Sequence, residues 1–382
     1  MDWISKCCCP GSHTSIYKMK TRVFGKLPFG QPVQLYELEN KHGMQLSVIS
    51  FGARIVGLKV PDLNGGVVDV VRGFASMEEY MKDEYYFGAV VGRVAGRISP
   101  SNVMIEGKLC NLIPNTQNVH MNGGKNGFDT AIWSAETIEE DDKNGVSGVR
   151  FRYVSADGSE GYPGELVTEL EYRLTNDNEL IIRLKCSTEE DTILSIPVHI
   201  YFNLGGEAEK DINEHVLTVL ADEYTPTDAE WIPTGEIVPV EGTPYDFRNG
   251  KRLGPAIATS QYNGFDDNWC LNHAFRPLTK PSLCAKLYNP KNGVHLDVLT
   301  TQPGMTVYTG NFLNKNIVGK YGEINDRHSS ICLLAQNYPN AINVPNFPTP
   351  VLKRGQSVEH TTIYRFTKHK EKGSARETNP TQ

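Results

Sequence analysis

What most constrains this chain is its hydrophobic period. Between residues 33 and 187, apolar and polar side chains alternate in VQLYELEN (33–40), MQLSVIS (44–50), ARIVGLKV (53–60), VVDVV (67–71), VRFRYVS (149–155), LVTELEYRL (166–174) and ELIIRLKCS (179–187). A period of two covers one face of a strand and leaves the other to solvent, so each segment reads as a strand. The joints LNGG (63–66), DKNG (142–145) and TNDN (175–178) are turn chemistry, short enough for antiparallel hairpins. Helical periodicity is confined to ASMEEYMKD (75–83), and 22 prolines and 35 glycines suit many turns better than long helices. The pattern predicts an all-β fold, a large and mainly antiparallel β-sandwich. No repeat period or proline-rich linker divides the body. Residues 23–367 therefore read as one domain, flanked by polar tails at 1–22 and 368–382.

Composition removes several function classes. A net charge of -7 without a basic concentration argues against nucleic-acid binding. No apolar run approaches the roughly 18 residues of a membrane helix, so no transmembrane span is expected. The N-terminus MDWISKCCCPGSHTSIYKMK has neither the apolar run nor the cleavage site of a secretory signal, which points to a cytoplasmic protein. Cys7, Cys8 and Cys9 form a cluster open to S-acylation, and the other five cysteines stand apart without zinc-ligand spacing. No metal is expected.

The chemistry-bearing residues lie in the less regular stretches. In SIPVHIYFNLGG (195–206), alternation puts His199, Tyr201 and Asn203 on one strand face, a polar row better suited to a cleft than to a core. VGRVAGRIS (91–99) carries Arg93 and Arg97 among small apolar residues, and HMNGGKNGFD (120–129) is glycine-rich without the Lys-Ser/Thr of a phosphate loop. NGFDDNW (263–269) sets Asp266 and Asp267 beside aromatics, and TTQPG (300–304) ends a strand with Gln302. Aromatics beside Asp, Asn, Gln and Arg are a common lining for carbohydrate sites.

Taken in order, the blocks SFGARIVGLKVPD, GRVAGRI, NGGKNGFDTAIW, HIYFNLGG, IPTGEIVPVEGTPYDFR, GFDDNWCL, TTQPGMTVYTGNFL and AQNYPNAINVPNFPTPVLKRGQSVEHTTIYRF resemble the galactose mutarotase (aldose 1-epimerase) family over about residues 24–367. The resemblance implies that family's β-sandwich and a monomer acting on free aldohexoses such as galactose or glucose, without cofactor or metal. In the family a glutamate takes the proton from the anomeric hydroxyl, a histidine protonates the ring oxygen, and the opened sugar recloses as the other anomer. Each positioned proton transfer is worth about 10²- to 10⁴-fold. The resemblance puts the acid at His199 and sugar-binding roles at Arg97, Asp266 and Gln302.

Three positions depart from the family pattern. Gly96 stands where the family has asparagine before the arginine, and Asn122 stands in place of a second catalytic histidine. His120, two residues earlier, would share its face if the segment were extended. Most consequential is CLLAQ, which has Leu334 where the family's CLETQ carries the base. Leucine accepts no proton, so epimerase activity is expected to be weak or lost unless Asp267, Glu323 or Asp326 takes over. The alternative is a catalytically silent sugar-binding or regulatory protein on the same scaffold.

Overall fold

The fold was obtained as a computed structural model that describes residues 18–141, 146–276 and 278–369. The cysteine cluster and the DKNG turn lie outside these residues. All pairings between strands are antiparallel in three main sheets. One has five strands in chain order: Lys18–Lys26, Pro32–Glu39, Gln45–Ile49, Arg54–Pro61 and Val67–Asp69. Its first strand starts inside the segment read as an N-terminal tail; Lys18 to Val23 pair with Glu39 to Gln34, and this corrects the boundary at 22.

A nine-stranded sheet runs from Ser134–Asp141 through Val146–Ser155, Leu166–Thr175 and Glu179–Thr188 to the long strand Ser357–Lys368, and ends beyond Val294–Thr300 and Ser282–Asn289. The alternating segments at 149–155, 166–174 and 179–187 form adjacent strands here. A six-stranded sheet follows the order Tyr201–Phe202, Ile331–Gln336, Gly304–Tyr308, Asp266–Cys270, Glu223–Thr225, Val238–Pro239. The expected short helix is one turn, Met77–Tyr80, closed by Ser76 and Glu79 in a reciprocal capping box. A second helix, Leu253–Thr259, was not anticipated; its LGPAIAT sequence has a proline in the first turn and only a narrow apolar stripe.

One face of the six-stranded sheet is core. Phe202, Ile331, Leu333, Ala335, Met305, Val307 and Trp269 join the apolar cluster that also takes Phe151, Leu170 and Leu184 from the nine-stranded sheet. Trp269 packs with Tyr224, Tyr245, Phe247 and Phe265, the Tyr224 and Tyr245 rings stacked at 4.1 Å. Ring pairs of this kind contribute about 0.5–1.5 kcal/mol each beyond their burial, which stiffens the sheet from beneath. Because side chains alternate, the opposite face must carry the residues in between. Among the described residues no helix is long and apolar enough to cross a membrane.

Candidate functional site

The register of the six-stranded sheet writes the floor of a cleft of about 320 Å³. Thr225 pairs with Asn268, Asn268 with Thr306, and Thr306 with Leu334, one row across four strands. Two residues along, Asp266 pairs with Tyr308, Tyr308 with Cys332, and Cys332 with Tyr201. Two residues the other way, Gly304 pairs with Gln336. All but Cys332 and Gly304 line the cleft.

Loops supply the walls. The segment 83–87 is held by Asp83, whose carboxylate accepts from Arg54 and from the backbone N–H groups of Tyr85 and Phe87. It presents Glu84, Tyr85 and Tyr86. Arg97 begins the short strand Arg97–Ile98, paired with His120–Met121, and its guanidinium meets the Asp266 carboxylate at 2.9 Å. The two side chains are largely but not wholly covered, so this charge-assisted pair bridges wall and floor. The backbone before it is fixed by Asn122, whose Oδ1 accepts from Gly96 N–H at 2.8 Å while its own N–H donates to Gly96 O at 3.0 Å. Gly96 sits at φ +81, where a Cβ would also strike Pro339 at 2.9 Å.

His199 lies at the deep end, 9% exposed. Its backbone N–H donates to Ala89 O and its carbonyl accepts from Gly88 N–H. The ring stacks between Tyr201, 4.8 Å away, and Tyr86, 6.1 Å away, with Tyr308 on edge. Nδ1 is 3.5 Å from the Cys332 thiol. Burial, with a smaller contribution from the nearby Arg54 charge, pulls the imidazole down to about 3, so His199 is neutral at physiological pH. The same burial lifts the Tyr86 phenol to about 12.

The aldose 1-epimerase family model matches residues 34–365. Galactose mutarotase of Homo sapiens is 40% identical over 346 residues, covering 90% of this chain and 97% of the human protein. Aldose 1-epimerase of Escherichia coli K12 is 32% identical over 347 residues, covering 89% and 96%. Among solved structures, an aldose epimerase homologue from C. elegans matches at TM-score 0.79 and 29% identity over 87% of this chain and 98% of that one. Galactose 1-epimerase from Lactobacillus acidophilus matches at 0.78 and 25%, over 92% and 99%.

The chain belongs to the aldose 1-epimerase family. Of the candidate positions read from the sequence, the structure brings His199, Arg97, Asp266, Asn122 and Leu334 to one cleft. Two it does not. Gln302 is buried between the sheets beside Leu170, Ile182 and Ala335, because the floor strand starts only at Gly304; among the described residues the glutamine that lines the cleft is Gln336. His120 is wholly buried, its Nδ1 donating to Ile113 O at 2.7 Å and its Nε2 accepting from the Tyr162 hydroxyl at 2.6 Å. Asn122 at φ 51 breaks the extended backbone that would have put it and His120 on one face.

The three substitute bases also lie elsewhere. Asp267 falls on the core face, in register with Val307 and Leu333, and accepts from Thr227 Oγ1. Glu323 pairs with Arg72, and Asp326 accepts the backbone N–H of Arg327. Asn203 spends its amide on the carbonyls of Glu209 and Ser329, and Arg93 is a buried strut bonded to Ser155, Ala156, Pro163 and Thr192. Among the described residues, the carboxylates that do line the cleft are Asp266, engaged with Arg97, and Glu84, exposed at the rim. Thr306, Gln336 and Glu84 were missed from sequence. Counting from Leu334 could have found the first two, since Gln336 lies two residues along its strand and Thr306 pairs with it in register.

Proposed function

We propose that this protein binds free aldohexoses in the cleft beside Arg97, Asp266 and His199, and that its interconversion of their anomers is greatly weakened or lost. The observation that carries the reading is the floor at Leu334. It is 4% exposed, with Thr306 beside it in register, and its side chain cannot draw a proton from a sugar hydroxyl. His199 is neutral, and among the described residues no carboxylate pairs with it to hold a proton there. Losing one positioned base costs roughly 3–5 kcal/mol of transition-state stabilisation. Arg97, Asp266, Asn268 and Gln336 address hydroxyls and need no base to do so.

The test follows α-D-galactose and α-D-glucose by anomeric exchange NMR and binding by calorimetry. Saturable binding with exchange no faster than buffer is expected, and Leu334→Glu combined with Asn122→His should restore part of the rate. Exchange far above buffer in the unaltered protein would overturn the loss of activity. A second reading, residual turnover through a rerouted base, is favoured by one feature: Glu84 lines the cleft and forms no ion pair among the described residues. Any residual rate should then vanish in Glu84→Gln.

A further inference from the structure

The mouth of the cleft is built differently from its floor. Trp231 lines it from the turn 228–232, which is closed by the Thr227–Pro233 bridge. Asp228 holds that turn; its carboxylate accepts from the N–H groups of Glu230 and Ile232, and its backbone bonds Trp231 and Ile232. Trp231 itself stands at φ 61, a left-handed conformation that a bulky side chain adopts only when its surroundings impose it. The indole lies against Tyr262 at 4.7 Å and on edge to Phe312 at 5.9 Å; Phe312 is 48% exposed and stacks on Tyr308 of the floor at 6.0 Å. A continuous run of rings therefore climbs from the deep end to the mouth.

The floor beneath is long. The row Thr225, Asn268, Thr306, Leu334 crosses four strands, which at the usual spacing is roughly 14 Å. That is more than one pyranose spans. Within the row, both polar atoms of the Asn268 amide and the Thr306 hydroxyl are buried with no hydrogen-bond partner among the described residues, which leaves bonding capacity in the middle of the floor unused.

We propose that the cleft takes pyranosides whose anomeric oxygen carries a second ring, the sugar lying with that oxygen turned away from Leu334 towards the mouth so that the ring stacks on Trp231. The inference rests on the sugar-cleft reading above and extends it from free aldoses to blocked ones. A glycoside has no anomeric hydroxyl proton to surrender, so a floor without a base is no handicap to it. The second ring can be an aryl group or another sugar, since both offer a flat apolar face to an indole.

The experiment measures affinities by calorimetry for free galactose and glucose, their methyl and phenyl glycosides, and methyl lactoside and methyl cellobioside as two-sugar probes. In the unaltered protein a second ring should tighten binding about tenfold over the matching methyl glycoside. The ratio should fall to near one in Trp231→Ala and be partly kept in Trp231→Phe; phenyl and lactoside arms that differ identify which second ring is preferred. Nuclear Overhauser contacts between the second ring and the Trp231 indole, read in the unaltered protein, decide the matter if the alanine variant fails to fold. A ratio near one in the unaltered protein, a ratio that Trp231→Ala leaves intact, or absence of those contacts overturns the inference. Free hexoses that still bind in that case leave the sugar-cleft reading standing; absence of binding by every sugar overturns both.

Discussion

The nine-stranded and six-stranded sheets share one apolar core yet are finished differently on their other faces. In the strands 166–175 and 179–188 core residues alternate with half-buried or exposed ones, and half-buried charges pair on the outer face, as Glu171 does with Arg150 and Arg173. On the cleft face of the six-stranded sheet, neighbouring polar side chains are buried without that completion: Asn268 and Thr306 lack partners among the described residues, whereas in the nine-stranded sheet only the Ser147 hydroxyl does. Natural sequences satisfy buried polar groups unless something else requires them. One sheet is built for stability, and the other gives some of it up to keep a polar floor.

The largest test of that contrast compares truncations. Phe151 is fully buried in the nine-stranded sheet and meets Tyr36 and Tyr172 edge-on, each at 5.8 Å. Phe151→Ala is expected to cost about 3–5 kcal/mol in urea unfolding, with sugar binding unchanged under native conditions. Arg97→Ala should do the reverse. It removes one partner of a partly covered pair at the cleft wall, cutting sugar affinity at least about tenfold, with a stability loss of about 1 kcal/mol. Equal losses of stability in the two variants would erase the contrast.

The second test is pH, applied to a carboxyl on the core face and to the imidazole at the deep end of the cleft. Burial, reinforced by the adjacent Asp266 charge, raises the Asp267 carboxyl from 3.8 to about 7. The native state then holds a proton that the unfolded chain has released, so stability falls as pH rises from about 4 to about 7, at most about 1.4 kcal/mol per pH unit for one group. Asp267→Asn keeps an acceptor for Thr227 and removes that titration. The variant and the unaltered protein should be alike near pH 4 and diverge towards pH 8, the variant being the more stable; parallel urea midpoints across that range would refute the assignment. His199 has the opposite sign. Its lowered value means that stability is lost as pH falls from about 6.5 towards about 3, so His199→Gln should soften acid unfolding.

Legibility in the sequence follows the same division. The period of two in LVTELEYRL and ELIIRLKCS is legible because one face is core and the other is only partly covered, and those strands stand at 166–175 and 179–188. In ICLLAQ both faces are buried, one by core and one by the cleft, so Ile331 to Gln336 shows no alternation of burial to read. His199, Arg97 and Asp266 were found through the order of the family's blocks. Gln302 was misplaced by the same route, since TTQPG puts a glutamine near the cleft in sequence while the strand entering the floor begins two residues later. His120 was misjudged because left-handed backbone at Asn122 leaves no trace in composition. The wall loops at 83–87 and 228–232 are set by single aspartates accepting several N–H groups, a pattern that DEYYF and DAEWI only hint at.

The smallest expected effect bears most directly on why the floor is polar. Thr306 Oγ1 has no partner among the described residues, and its neighbours in register are Asn268 and Leu334. Valine has nearly the same shape and no hydroxyl to desolvate, so Thr306→Val removes an unmet polar group without opening a cavity. A gain of up to about 1 kcal/mol in the free protein is expected, read as a small rise in the urea midpoint. If the hydroxyl is kept for a sugar, the gain reverses in the presence of saturating ligand, because the unaltered protein then completes the bond and the variant cannot. A variant stabilised equally with and without sugar would mean that Thr306 serves no ligand, and that the difference between the two sheets has another cause.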